Sequence, residues 1–125
     1  MWEVPRKLRK RLIKTFLDII ILAHLNGSPM SGYDIINAIN KKFGILLSPG
    51  SIYSMLYALE RKNLITGTLS ETRRIYTLTD KGKEKMENVL NNAQEISEYL
   101  TFLFTKSHEK TQTEMHSKTD DELQE

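Results

Sequence analysis

The sequence predicts a mainly α fold with one small β-hairpin, closed by a long amphipathic helix. Three observations predict it. Apolar residues recur at three- and four-residue spacing in four segments, one stretch near residue 75 places β-branched residues on both sides of a polar turn, and 125 residues with 39% apolar content suffice for a single core. There is no cysteine, which excludes a disulfide scaffold, a thiol nucleophile and a thiolate metal site. The apolar runs Phe16–Leu17 and Ile19–Leu25, interrupted by Asp18 and His24, fall far short of the roughly 20 residues that span a bilayer. The segment after Met1 is basic but lacks a cleavage pattern, so a cytoplasmic protein with no membrane partner is expected.

In the first helix, expected over 9–25, Ile13, Phe16, Leu17, Ile20, Ile21 and Leu25 form the apolar stripe, and Asn26–Gly27 ends it. Ser28–Pro29–Met30–Ser31–Gly32 is turn chemistry, with Ser31 able to cap a second, short helix that carries Tyr33, Ile35, Ile36 and Ile39 and ends by Phe43–Gly44. Ser48 then caps a third helix, about 49–62, with Pro49 in its first position, where a missing amide proton costs nothing. Ile52, Met55, Leu56 and Leu59 line one side of this helix and leave Gly50, Ser51, Ser54, Ala58 and Arg61 more exposed. A tight joint between the second and third helices is the geometry of a helix-turn-helix, whose later helix offers its N-terminal part to the DNA major groove.

Beyond Leu64–Ile65, the residues Thr66, Leu69 and Ile75–Tyr76–Thr77–Leu78 flank a polar stretch from Ser70 to Arg74. This predicts a hairpin, about 66–78, with Arg73 and Arg74 at its tip. A hairpin after three helices is a wing, so the fold class is a winged helix-turn-helix plus a long C-terminal helix. Thr79 caps that last helix, with Asp80 in its first turn, and Met86, Val89, Ala93, Ile96, Leu100 and Leu103 alternate at spacings of three and four. With Leu90 and Phe104 on neighbouring faces, this stripe exceeds what the domain needs for its own core. Some of it is expected to pack on the first helix and most of it on the same helix of a second copy, in a C2 dimer. The resulting organisation is a basic N-terminal arm (1–8), the winged domain (9–78), a dimerisation helix (79–106) and a polar tail (107–125) expected to be disordered, with only Met115 and Leu123 apolar.

The net charge of +2 conceals a segregation. Residues 1–85 carry 15 Lys/Arg against 7 Asp/Glu, a net of +8, and residues 86–125 carry 3 against 9, a net of −6. A basic block of Arg6, Lys7, Arg9, Lys10, Arg11 and Lys14 suits a polyanion, although a solvated face that maintains solubility has the same composition.

These segments, in order, resemble the PadR-like winged helix-turn-helix transcriptional regulators. The resemblance is carried by Ile21–Leu22–Ala23–His24–Leu25, by Ser28–Pro29–Met30–Ser31–Gly32–Tyr33–Asp34–Ile35, and by Leu47 through Glu60. It continues in Lys62–Asn63–Leu64–Ile65 and in Arg73–Arg74–Ile75–Tyr76–Thr77–Leu78–Thr79–Asp80–Lys81–Gly82, so it spans 12–85. It implies a homodimeric repressor that binds a palindromic double-stranded operator through the third helix and the wing. The single stripe from Met86 to Phe104 matches the short type, which dimerises through one C-terminal helix. Asn63 departs from the family's usual glycine, but asparagine tolerates a left-handed backbone better than most residues.

The candidate DNA contacts are Arg9, Lys10, Ser51, Tyr53, Ser54, Tyr57, Arg61, Arg73 and Arg74. Hydroxyls at Ser51 and Ser54 suit a phosphate or a base edge. The resemblance implies a backbone contact for Tyr53, whose ring would pack in the domain, and Tyr57 is either a contact or packing. Arg61 and Lys62 suit a helix C-terminus with or without DNA. Arg73 and Arg74 are placed to reach a phosphate or a narrow minor groove. The candidate dimer interface is Met86, Val89, Leu90, Ala93, Ile96, Leu100, Leu103 and Phe104. Trp2, Tyr99, Phe102 and Phe104 could line a site for a small aromatic effector at that interface, though such aromatics more often simply pack. No cofactor or metal is expected. His24, His108 and His116 have no catalytic neighbours in the sequence pattern, so the rival to a DNA-binding regulator is a winged helix that serves as a protein-interaction module.

Overall fold

The computed structural model describes residues 3–106. Trp2, His108, His116, Met115, Leu123 and the tail 107–125 lie outside the described residues. Two compact units are present, one ending at Val89 and the other beginning at Leu90.

The first unit opens with α1 (Arg6–Thr15) and α2 (Leu17–Leu25). A single helix was expected from residue 9; helical structure instead begins at Arg6, within the expected arm, and is interrupted at Phe16 (φ −104°, ψ 22°). The hydrogen-bond ladder nonetheless continues through the break, from Phe16 N–H to the Leu12 carbonyl (3.0 Å) and from Ile20 N–H to the Phe16 carbonyl (2.9 Å). Side chains on either side compete for backbone groups: the Thr15 hydroxyl donates to the Arg11 carbonyl, and Asp18 accepts from Ile19 N–H.

Ser31 caps α3 (Gly32–Phe43) in a reciprocal box with Asp34, in which the Ser31 hydroxyl accepts from Asp34 N–H and the Asp34 carboxylate accepts from Ser31 N–H. Gly44 closes α3 in the left-handed region (φ 61°). Ser48 caps α4 (Pro49–Arg61) by accepting from Ser51 N–H. The Asn40 side chain accepts from Leu47 N–H at 3.0 Å and so fixes the joint between α3 and α4.

Three strands form one antiparallel sheet in the order β1-β3-β2, with β1 Met30–Ser31, β2 Ile65–Ser70 and β3 Arg73–Leu78. Strand β1, absent from the sequence expectation, pairs Met30 with Tyr76 and Ser31 with Ile75. The β2–β3 loop is the two residues Glu71–Thr72, with Glu71 at φ 57°. Arg73 and Arg74 therefore lie in β3, beyond the tip rather than on it. Asn63 does take the left-handed backbone (φ 61°) that its position required.

Helix α5 (Asp80–Asn91) starts on that turn. The Thr79 hydroxyl donates to the Asn63 carbonyl and accepts from Gly82 N–H, while Lys81 Nζ donates to the Lys62 carbonyl. The core of this unit joins Ile21 and Leu22 to Ile35, Ile39, Ile52 and Leu56, all fully buried. Met86 belongs to it at 3% exposure, which corrects its assignment to the dimer interface: its side chain is enclosed within its own unit.

The continuous helix expected over 79–106 is interrupted at Asn92 (φ −106°, ψ 13°), and α6 (Ala93–Phe104) follows. Consecutive asparagines at 91 and 92 are poor helix residues because their amides compete for nearby backbone groups. No residue of α6 is buried.

Candidate nucleic-acid interface

Helix α4 has two faces. Ile52, Leu56 and Leu59 face the core, and Ser51, Ser54 and Arg61 are exposed on the other side as the spacing required. Tyr53 and Tyr57, which the spacing did not assign to that face, are exposed there too, whereas Ala58 is half-buried. Around its N-terminus the side chains are small, and nothing lies within 4 Å of the position a Cβ would take at Gly50. The Ser51 hydroxyl lies 2.8 Å from that of Ser48, so it shares in the cap while remaining exposed.

Tyr53, Tyr57 and Arg61 follow one another at i, i+4 and i+8. The Tyr53 ring lies over Gly32 at the start of α3, where a Cβ would come within 2.5 Å of it. The bare Cα of Gly32 leaves room for the ring, and Tyr53 remains 47% exposed. The Arg61 guanidinium sits 5.5 Å from the centre of the Tyr57 ring. A cleft of about 500 Å³ runs between α4 and the wing, lined by Tyr53, Tyr57, Glu60, Arg61, Arg74 and Tyr76.

Neighbouring residues of a strand point to opposite faces, so Arg73 and Arg74 reach different helices. Arg73 Nη2 donates to Asp34 Oδ2 at 3.4 Å. Arg74 grips Glu60 with two donors, Nη2 to Oε2 at 2.8 Å and Nε to Oε1 at 3.3 Å, and lies 5.9 Å over the Tyr76 ring. Hydrogen bonding to Glu60, and then its charge, raises the guanidinium's pKa further above its ordinary value. Burial pushes the Tyr76 phenol up from its ordinary value.

The Asp34 carboxyl is held below the usual carboxylate range, first by hydrogen bonding from the Ser31 side chain and then from the Ser31 backbone, with a smaller share from Arg73. A lowered folded-state pKa stabilises the fold above the ordinary carboxylate value, and this contribution is lost as the pH falls through the lower, folded one. Asp34→Asn is therefore expected to shrink the fall in urea midpoint between about pH 5 and about pH 2.5, a range that brackets the ordinary value of about 3.9. An unchanged fall would show that Asp34 does not contribute to acid sensitivity.

The basic block is not uniformly free. Arg6, Lys7, Arg11 and Lys14 are exposed and Lys10 is half-buried, whereas Arg9 donates from Nη1 to the Phe43 carbonyl (3.1 Å) at the C-terminus of α3. Arg9, half-buried, thus also serves as a helix-end contact for α3. Sequence reasoning also missed Glu60, Gly32 and Gly67 as parts of this surface. Only Gly67 carried a signal, since glycine inside a strand marks a close approach.

On the second unit, Leu90, Ile96, Tyr99, Leu103 and Phe104 are exposed, and the Tyr99 and Phe102 rings stack with centroids 5.9 Å apart. Val89 and Leu100 are half-buried and Ala93 is exposed. Among the described residues no group of three or more His, Asp or Glu side chains could hold a metal, and no helix is long and apolar enough to cross a membrane.

Comparison with known proteins matches residues 21–88 to the model of the transcriptional regulator PadR-like family. A curated relative, described as an uncharacterized 37.1 kDa protein in transposon TN4556 of Streptomyces fradiae, is 34% identical over 81 residues, 64% of this chain and 24% of that protein. The chain thus spans about a quarter of the length of the curated relative it matches. Among solved structures, a PadR-like transcriptional regulator from Bacillus cereus is 29% identical with a TM-score of 0.65, covering 78% of this chain and 99% of that one. A transcriptional regulator from Clostridium thermocellum is 26% identical with a TM-score of 0.64, covering 77% and 96%. Bacillus subtilis PadR in complex with operator DNA is 32% identical with a TM-score of 0.53, covering 59% and 46%.

Proposed function

The chain belongs to the PadR-like family of transcriptional regulators, and from that membership we propose that it is a homodimeric repressor which reads a palindromic operator through α4 and the wing. The observation that carries this reading is the exposed face of α4, where Ser51, Tyr53, Ser54, Tyr57 and Arg61 lie beside a wing bearing Arg73, on a part of the chain with a net charge of +8. Hydroxyls and guanidinium groups on one helix face can bond base edges and phosphates together, and the excess positive charge supplies affinity through counterion release. The Bacillus subtilis PadR structure with operator DNA supports the same use of the fold.

Two such helices enter successive major grooves when they are separated by about 34 Å, one turn of duplex. Pairing of α6 with its copy is the means we infer for holding that separation, and the dimer would repress by covering promoter DNA that polymerase needs. In this reading a small aromatic effector would bind at the same interface, a role supported by the aromatic pair Tyr99 and Phe102. In this role the protein works in the cytoplasm on chromosomal DNA.

The test is a mobility shift of the purified protein on its own upstream intergenic DNA and on random DNA of equal length, at two salt concentrations. We expect preference for the upstream DNA by about 10³-fold or more, weakening steeply with salt. Equal binding to both DNAs, or none, would overturn the operator reading and favour a protein partner for the wing and α4.

A further inference from the structure

Arg73 and Arg74 are adjacent, chemically identical and on the same hairpin, but their surroundings differ. Arg74 shares a strand face with Tyr76, and its side chain runs across β2 directly over Gly67. A Cβ at Gly67 would lie 2.5 Å from Arg74 Nε, 2.9 Å from Cζ and 3.1 Å from Nη2, so the missing side chain at 67 forms the notch in which Arg74 lies. Beyond the notch, the guanidinium binds both carboxylate oxygens of Glu60 in the last turn of α4 and covers the Tyr76 ring. Arg73 has a single 3.4 Å contact with Asp34, and that pair is more exposed than Arg74 with Glu60.

We propose that Arg74 is a positioning residue that fixes the wing to the recognition helix through Glu60 and the Gly67 notch, and that, of the two wing arginines, Arg73 is the phosphate contact. This rests on the repressor reading above. Exchange of partners separates the two arginines. If Arg73 leaves Asp34 for a phosphate, one long, exposed bond is lost, and Asp34 keeps the Ser31 N–H of the α3 cap. If Arg74 left Glu60, two charge-assisted bonds would break and a carboxylate would be left uncovered near a polyanion. DNA therefore recruits Arg73 and leaves Arg74 in place.

The two roles predict opposite signs for one substitution. If Arg74 were a phosphate contact restrained by Glu60, Glu60→Gln would release it, remove a negative charge and tighten DNA binding. As a positioning pair, Glu60→Gln weakens binding instead, by about tenfold, and Glu60→Gln with Arg74→Gln loses no more than either alone. Salt titration gives a second readout. Arg73→Gln is expected to reduce the slope of log K against log salt by about 0.9, one phosphate's share, whereas Arg74→Gln lowers affinity at unchanged slope. Arg74→Lys keeps the charge but not the fork, so it is expected to behave like Arg74→Gln.

Tighter binding by Glu60→Gln, a slope lost in Arg74→Gln, or full affinity in Arg74→Lys would each overturn the proposal while leaving the repressor reading intact. Failure of the wild type to prefer its upstream DNA would overturn the repressor reading instead. Amide hydrogen exchange judges the pair without DNA: Glu60→Gln and Arg74→Gln should each speed exchange in β2 and β3, and Arg73→Gln should not. Equal protection in all three variants would refute the positioning role.

Discussion

Gly82→Ala is expected to lower the thermal midpoint by about 8–16 °C. Gly82 lies in the first turn of α5, where Thr79 N–H donates to the Leu64 carbonyl at 3.1 Å and Gly82 N–H donates to the Thr79 hydroxyl at 3.1 Å. The same Leu64 carbonyl oxygen would be 2.1 Å from a Cβ on Gly82, with its carbon at 3.1 Å. Neither atom can rotate away, because both belong to backbone held between the buried side chains of Leu64 and Ile65. Alanine would therefore push α5 off the turn, against a gain in helix propensity of only about 1 kcal/mol. Overpacking of this kind costs about 3 kcal/mol, and the net loss of about 2 kcal/mol corresponds to about 8–16 °C in a domain of this size. Gly50→Ala is the control. Its Cβ meets nothing, so its midpoint should equal or slightly exceed that of the wild type. A wild-type midpoint for Gly82→Ala would mean that α5 does not start against Leu64.

Much of this architecture could be read in the sequence because its punctuation is local. Ser31, Ser48 and Thr79 each announce a helix start, Pro49 follows a cap, and Asn63 could tolerate the left-handed backbone it adopts. What escaped depends on partners distant in the chain or on backbone adjustments that leave spacing intact. Single-residue breaks at Phe16 and Asn92 preserve the three-and-four recurrence, so periodicity runs through them. A two-residue strand such as β1 is too short to show alternation, and it exists because β3 offers it an edge. The wing loop, Glu71–Thr72, carries no Asn-Gly signal, so the polar run from Ser70 to Arg74 could not reveal where the turn falls.

The same limit applies to the candidate interface. The exposed face of α4 followed from the apolar spacing of Ile52, Leu56 and Leu59. Charge alone could not show that Arg9 is bound to the Phe43 carbonyl, or that each wing arginine faces a carboxylate on a different helix. Met86 continues the stripe of the last helix by spacing, yet lies in the core, since an apolar residue does not specify which neighbour it meets. Gly32 acquires meaning only once Tyr53 is seen lying across it, and Gly67, a glycine within a strand, could signal a close approach but not that Arg74 makes it.

The double variant Ile96→Glu with Leu103→Glu is expected to be monomeric and to lose at least about 100-fold in operator affinity. These residues are seven apart on α6, so they share a face, and they are 39% and 57% exposed. Substitution there removes no buried side chain from the chain itself, and the first unit should keep its thermal midpoint. In a dimer, each apolar side chain covered by the partner contributes about 1.5–3 kcal/mol. Two carboxylates facing their symmetry copies would replace that gain with like-charge repulsion. The DNA consequence follows from linkage: once one half-site is bound, a tethered partner meets the second at an effective concentration near millimolar, which raises affinity about 10²–10⁴-fold over separate domains. Sedimentation velocity and a mobility shift on the same preparations check both parts. An intact dimer would remove α6 from the interface, and a monomer with wild-type affinity would show that one copy, rather than a symmetric pair, reads the site.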